Sequence, residues 1–230
     1  MTSPLARGLI VSCQAEGDSP FNSPEFIAAF AQAAEQGGAV GVRICSPPNL
    51  RAVRQVTALP IMGLSKGNYP NGDVLITPTL ADAEALIGAG ADFIALDATQ
   101  RPRPQGLLGT EMVRLCKQAF PAIPLLADIA TLEEGLAAAA AGADYVATTL
   151  AGYTPETRGR YGPGPALDLV AQLAAQLSVP VIAEGRIRTP QEASQALTAG
   201  AWAVVVGTAI TRPIALVESF VAALPANSTP

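Results

Sequence analysis

The chain contains no histidine. That one absence argues against imidazole acid–base chemistry, the serine–histidine–acid triad and histidine-ligated metals together. Proton transfer must then fall to Lys, Glu, Asp, Tyr or Cys. Cysteine is scarce too. Cys13, Cys45 and Cys116 are scattered and odd in number, with no C-x-x-C spacing, so neither a disulfide framework nor a zinc site is indicated. No apolar run approaches the roughly 20 residues that cross a bilayer. Residues 1–8 lack a basic segment followed by a long apolar stretch. The expectation is a cytoplasmic protein with no membrane partner. Charged residues are sparse at 14%, their balance is acidic at −5, and no Lys/Arg cluster stands out. That argues against nucleic acid as a partner but leaves room for a local basic pocket.

What the chain has is apolar material. Half of its 230 residues are hydrophobic, enough for a closed core around a sheet buried on both faces. Short runs rich in Val, Ile, Leu and Ala recur at 9–13, 39–42, 61–64, 93–96, 124–127, 145–148, 179–183 and 203–206. They are too brief for buried helices and read as parallel strands. Helical segments alternate with them, from Ser23 to about Gln36, Pro48 to Thr57, Thr79 to Gly88, Leu107 to Ala119, Thr131 to Ala141 and Pro165 to Leu177, then from Thr189 and from Arg212-Pro213. Thr131 with Glu134, and Thr189 with Glu192, have the spacing of a capping box. Gly-Ala-Asp at 90–92 and 142–144, with Gly-Ala-Trp at 200–202, marks the same junction three times. Val74–Ile76 reads as an extended piece outside the barrel. The prediction is α/β, one (β/α)8 TIM barrel over residues 1–230, with flexible tails at 1–7 and 224–230.

A polar residue or a glycine follows each strand: Gln14, Arg43, Lys66, Asp97, Asp128, Thr149, Glu184 and Gly207. Closing the barrel gathers them at its C-terminal mouth. Asp97 and Asp128 can equally cap their turns, Gln14 and Thr149 can be hydrogen-bonded loop residues, and Cys13 reads as core. Lys66, Arg43 and Glu184 are harder to dismiss, because long charged side chains at buried strand ends are costly without a partner or a task. Lys66 and Glu184 form a candidate acid–base pair. A lysine base needs desolvation or a neighbouring cation, and a glutamate acid needs a raised pKa. The Gly185 and Gly207-Thr208 turns, on adjacent strands, can aim backbone N–H groups at a phosphate.

Seven segments together carry a resemblance: 8–14 (GLIVSCQ), 37–43 (GGAVGVR), 94–99 (IALDAT), 127–131 (ADIAT), 152–154 (GYT), 182–186 (IAEGR) and 209–213 (AITRP). The chain resembles the N-acetylmannosamine-6-phosphate 2-epimerase family from Gly8 to about Pro213. The resemblance implies interconversion of N-acetylmannosamine 6-phosphate and N-acetylglucosamine 6-phosphate, with no cofactor and no metal, in sialic acid and aminosugar catabolism. It implies Lys66 as base and Glu184 as acid. It implies substrate contacts at Gln14, Arg43, Asp128, Tyr153 and Arg212, and phosphate contacts at Gly185, Gly207, Thr208 and Arg212. A homodimer is expected, as is common for barrels of this size. Two positions depart from the family pattern: Gly67-Asn68 after the lysine, and Ala151 where many members carry histidine. The first leaves the loop over the sugar open. The second argues that histidine there is not essential.

Two other readings compete. A Schiff-base phosphosugar aldolase would use Lys66, but such lysines usually lie on strand 6, where this chain has Thr148 and Thr149. A non-catalytic phosphosugar-binding protein would keep the glycine turns and lose the acid–base pair, and both members are present.

Overall fold

Eight parallel strands close on themselves in the order of the chain, each followed by helix, in the computed structural model, which describes residues 5–15, 17–67, 74 and 76–225. The strands are β1 (Gly8–Cys13), β2 (Gly41–Cys45), β3 (Ile61–Leu64), β4 (Phe93–Asp97), β5 (Leu125–Asp128), β6 (Tyr145–Ala147), β7 (Val181–Glu184) and β8 (Ala203–Val206). The helices are α1 (Pro24–Gln36), α2 (Pro47–Arg54), α3 (Leu80–Gly88), α4 (Gly109–Ala119), α5 (Leu132–Ala140), α6 (Leu167–Gln176), α7 (Pro190–Thr198), α8 (Thr208–Thr211) and α9 (Pro213–Ala223). The predicted (β/α)8 barrel is thus the observed architecture.

Alternation along each strand sorts side chains into two cores. Ile10, Met62, Leu64, Phe93, Ala95, Leu126, Tyr145, Ala147, Ile182, Ala203 and Val205 fill the interior of the barrel. Val11, Val42, Ile44, Ile94, Leu96, Ala127, Val146, Ala183 and Val204 point outward to the helices. Capping boxes start α3 (Thr79 with Asp82), α5 (Thr131 with Glu134) and α7 (Thr189 with Glu192). The repeated Gly-Ala-Asp has a mechanical reason. Gly90 and Gly142 adopt φ of 97° and 109° past the helix ends, a left-handed conformation that glycine adopts without Cβ strain. The aspartates then accept from the first amide of the preceding strand, Asp92 from Ile61 and Asp144 from Leu125, both at 2.8 Å.

Several expected boundaries shift. Residues 1–7 were expected as a tail, yet Leu5 is fully buried in the barrel interior, and its carbonyl accepts from Trp202 Nε1 at 2.9 Å. β2 runs to Cys45 rather than stopping before Arg43, so Arg43 lies mid-strand, beside Ser12 and Met62. The expected eighth helix is two: a single turn, α8, begins directly after Gly207, and α9 begins at Pro213. Val74 and Ile76 lie outside the barrel strands, with Ile76 forming an antiparallel bridge to Lys66, and Leu75 lies outside the described residues. Much of the loop 67–73 lies outside the described residues.

Candidate active site

The inward register of the strands continues past their ends. Two residues beyond Leu64, Leu126, Ala147, Ile182 and Val205 stand Lys66, Asp128, Thr149, Glu184 and Gly207, all above the interior core. Lys66, Thr149, Glu184 and Gly207 meet at a cavity of about 470 Å3 at the C-terminal mouth. Its wall includes Gln14, Lys66, Tyr153, Glu184, Gly185, Gly207, Thr208 and Arg212 of the predicted set. Ser12, Arg101, Thr149, Arg186 and Arg188 join them. Among the described residues the wall holds five basic side chains, Lys66, Arg101, Arg186, Arg188 and Arg212, against one acid, Glu184. In a chain of net charge −5, that is a local concentration of positive potential suited to an anion.

Arg43 and Asp128 were expected to touch the substrate, but neither lies in the wall. They sit behind Glu184, 1% and 0% exposed. The extra length of β2 explains Arg43: its side chain starts below the mouth and crosses the barrel. Nη1 donates to Asp128 Oδ1 at 2.9 Å and to Glu184 Oε2 at 2.7 Å, and Nη2 donates to Asp128 Oδ2 at 2.5 Å. Burial works against the arginine's charge, and the two carboxyls more than offset it, holding its pKa above the ordinary value. Burial pushes Glu184 the other way for an acid, up from about 4.5 to about 7, with Asp128 adding to the rise while Arg43, Thr149 and Lys66 oppose it. A carboxyl poised near neutrality can deliver and recover a proton.

Backbone conformation supports both members of the pair. Thr77, a β-branched residue, holds φ of 44° while its amide donates to Ser65 O (2.9 Å) and its hydroxyl to Ala95 O (2.6 Å). This locks the segment that carries Lys66. Beyond Glu184, Gly185 and Arg186 both lie at positive φ, 104° and 56°. Non-glycine residues pay for such a conformation, and it concentrates at functional sites. Arg186 Nε donates to Gly164 O (2.8 Å) and Nη1 donates to Ala151 O, so one side chain ties both ends of the loop that presents Tyr153. Its guanidinium also lies over the Tyr153 ring at 5.4 Å.

At the other side of the cavity, Thr211 Oγ1 donates to Ser12 O at 2.7 Å and draws β1 against the β8 turn. A Cβ on Gly207 would sit 3.3 Å from that of Ser12, a tight contact that would push β1 and the turn apart by a few tenths of an ångström. Gln14 Nε2 donates to Ser12 Oγ at 2.7 Å, while its Oε1 is buried with no partner among the described residues. An orphan acceptor in the wall of a cavity invites a donor from a ligand.

Of the remaining sequence candidates, Asp97 does cap its turn. It accepts from Thr99 N (2.9 Å) and Thr99 Oγ1 (2.7 Å) and pairs with Arg101. Cys13 is buried, with its thiol pushed up to about 12 by burial, which suits core and not nucleophile. Sequence reasoning passed over Arg101, Arg186 and Arg188. Arg186 had a signal, since a long side chain directly after a glycine turn is placed over the strand ends. Arg101 had only the basic character of its loop.

A closed barrel with a lysine, a poised glutamate and a basic cavity at the strand C-termini defines a class, a (β/α)8-barrel enzyme with its candidate site at the usual face. The chain belongs to the N-acetylmannosamine-6-phosphate epimerase family, whose pattern matches residues 27–226. A relative from Thermosynechococcus vestitus, named as an N-acetylmannosamine-6-phosphate 2-epimerase, is 50% identical over 228 residues, covering 99% of this chain and 98% of its own. One of the same name from Synechococcus elongatus is 50% identical over 225 residues, covering 97% and 96%. A solved N-acetylmannosamine-6-phosphate 2-epimerase from Clostridium perfringens superposes with a TM-score of 0.88 at 41% identity, covering 94% of this chain and 93% of that one. Thiamine phosphate pyrophosphorylase from Pyrococcus furiosus, at 17% identity and a TM-score of 0.59, shares the fold alone.

Proposed function

We propose that this chain interconverts N-acetylmannosamine 6-phosphate and N-acetylglucosamine 6-phosphate by proton transfer at C2, in sialic acid and aminosugar catabolism in the cytoplasm, with no cofactor or metal. The observation that carries the reading is the placing of Lys66 and Glu184 in the wall of one basic cavity with the Gly185 and Gly207 turns. The family relatives named for this reaction support it.

The 6-phosphate docks at the Gly185 and Gly207-Thr208 turns with Arg212, where α8 opens. Arg188 and Arg186 add positive charge along the same wall. The open-chain aldehyde acidifies the C2–H bond. Lys66 takes that proton, and the charge left on the C1–C2 unit is stabilised by donors in the wall. Glu184 supplies a proton to the opposite face of C2. Gln14 Oε1 accepts from the sugar, and Tyr153 closes the cavity from the loop after β6. Arg43 and Asp128 serve the reaction through Glu184, which they hold and tune.

The reading extends to a homodimer. Eight of the eleven residues of α9 are Ala, Val, Ile, Leu or Phe, yet none of the helix is buried. Ile214, Val217, Val221 and Leu224 are each between 47% and 68% exposed. They fall at i, i+3, i+7 and i+10, the seam of two packed helices. A second copy of the chain, bringing the same stripe, fits that seam. Among the described residues no helix is long and apolar enough to cross a membrane, so the stripe is not a span.

Incubation with N-acetylmannosamine 6-phosphate, followed by proton NMR, tests the activity. The expected product is N-acetylglucosamine 6-phosphate. Lys66→Met is expected to lower kcat by about 10³-fold, within the range of positioned acid–base groups. Unchanged substrate with the wild-type chain would refute the proposal.

A further inference from the structure

Glu184 and Asp128 share their donors. Arg43 Nη1 reaches Oε2 of Glu184 and Oδ1 of Asp128. Thr149 Oγ1 lies 2.6 Å from the same Oδ1 and 3.1 Å from the same Oε2. The four atoms close a ring. Nη1 has two hydrogens and can serve both carboxyls at once, whereas the hydroxyl has one and can serve only one. Which it serves depends on the charge of Glu184. With Glu184 protonated, the hydrogen goes to Asp128, the nearer acceptor. With Glu184 ionised, Oε2 becomes a strong acceptor and draws it across.

A purely structural role for Thr149 is already filled by its neighbour. Thr148 Oγ1 donates to Glu184 O at 3.0 Å and accepts from Glu184 N at 3.1 Å, tying the end of β6 to β7 through the backbone. Thr149 instead spends its side chain on the two carboxyls. Both donors to Glu184 converge on Oε2, and no described residue donates to Oε1.

We propose that Thr149 is a positioning residue for the acid step. Arg43 holds Oε2 of Glu184 for the protein, so that Oε1 carries the proton to the substrate, and the Thr149 hydroxyl turns from Asp128 to that same Oε2 as the proton leaves. The bond broken is Oε1–H of Glu184, and the bond formed is C2–H of the sugar. The threonine O–H bond only reorients, and no further reactant is needed. This inference rests on the assignment of Glu184 as the acid.

The charged groups around Glu184 are Arg43 from β2, Asp128 from β5 and Lys66 after β3, with Arg101, Arg186, Arg188 and Arg212 elsewhere in the wall. Within that set the Thr149 hydrogen bond acts to lower the Glu184 pKa. Removing it therefore makes the carboxyl harder to ionise.

The experiment compares the full-length wild type with Thr149→Val, which keeps the shape and deletes the donor, and Thr149→Ser, which restores it. Infrared titration of the carboxyl stretch, assigned by its loss in Glu184→Gln, follows Glu184 without substrate. In Thr149→Val the titration is expected to move up by about one pH unit, and kcat to fall about 10-fold with KM within about twofold, the scale of one hydrogen bond to a charged group. Thr149→Ser is expected to restore both. If Thr149→Val does not fold, Thr149→Ala is read the same way. An unmoved titration, or a serine variant that behaves like valine, overturns the proposal. Full turnover by Glu184→Gln overturns the assignment of the acid itself, a result distinct from the first.

Discussion

Glu184 shows what the barrel mouth does to one residue. Its carboxyl holds a proton to about pH 7, whereas an unfolded glutamate holds one only to about 4.5. A folded-state pKa that is raised contributes stability below pH 4.5, and that contribution is lost as pH rises through 7. Glu184→Gln carries no titrating group there. Its melting temperature relative to wild type is therefore expected to climb between pH 5 and pH 8, by an amount on the order of 2 kcal/mol in stability. Thermal melts across that range check this, and a flat difference would mean that Glu184 ionises in the folded chain as it does in water. Lys66 and Glu184 were legible as candidates that share one cavity, because the chain has no histidine and because charged side chains end two buried strands. Thr149 stood in the same strand-end set, but its weight was not legible. A threonine carries no charge to explain, and only the convergence of its hydroxyl on two carboxyls gives it a role.

Among the elements, the loop after β6 depends on a single side chain. Arg186 ties Ala151 to Gly164 and stacks its guanidinium over the Tyr153 ring. Gly152, at φ of 84°, leaves that guanidinium its space, since a Cβ there would lie 2.5 Å from Nη1. Arg186→Met is expected to raise KM by about 10-fold, the cost of one or two hydrogen bonds to a charged group, with a smaller change in kcat. Limited proteolysis would show faster cutting within 150–164. Unchanged KM and cutting would show that the loop holds itself. Element boundaries were legible where caps and glycines punctuate the chain, as at Thr131, Thr189 and Gly142. They were misjudged at β2, where Ala39-Val40 reads as strand but the pairing with β1 and β3 carries the strand on to Cys45. That shift, of two residues at the start and three at the end, moves Arg43 from the wall of the cavity to its foundation. The helix α8 was missed because its four residues carry no cap and no periodicity.

For the whole molecule, the eightfold alternation was legible because each apolar run is short and one helix-to-strand junction recurs three times. A homodimer was expected but its surface was not legible: α9 shows its apolar face only once the fold reveals that none of the helix is buried by the described residues. Val217→Asp with Phe220→Asp is expected to convert a dimer to a monomer in sedimentation, with the barrel still folded because neither side chain is buried. A wild type that sediments as a monomer would remove the dimer from the account. The chemistry itself is read most directly in D2O. The wild type, given N-acetylmannosamine 6-phosphate in D2O and followed by proton NMR, is predicted to form N-acetylglucosamine 6-phosphate carrying deuterium at C2, and Lys66→Met to form almost none. Product that retains the original hydrogen at C2, with no exchange from solvent, would contradict proton transfer through Lys66 and Glu184.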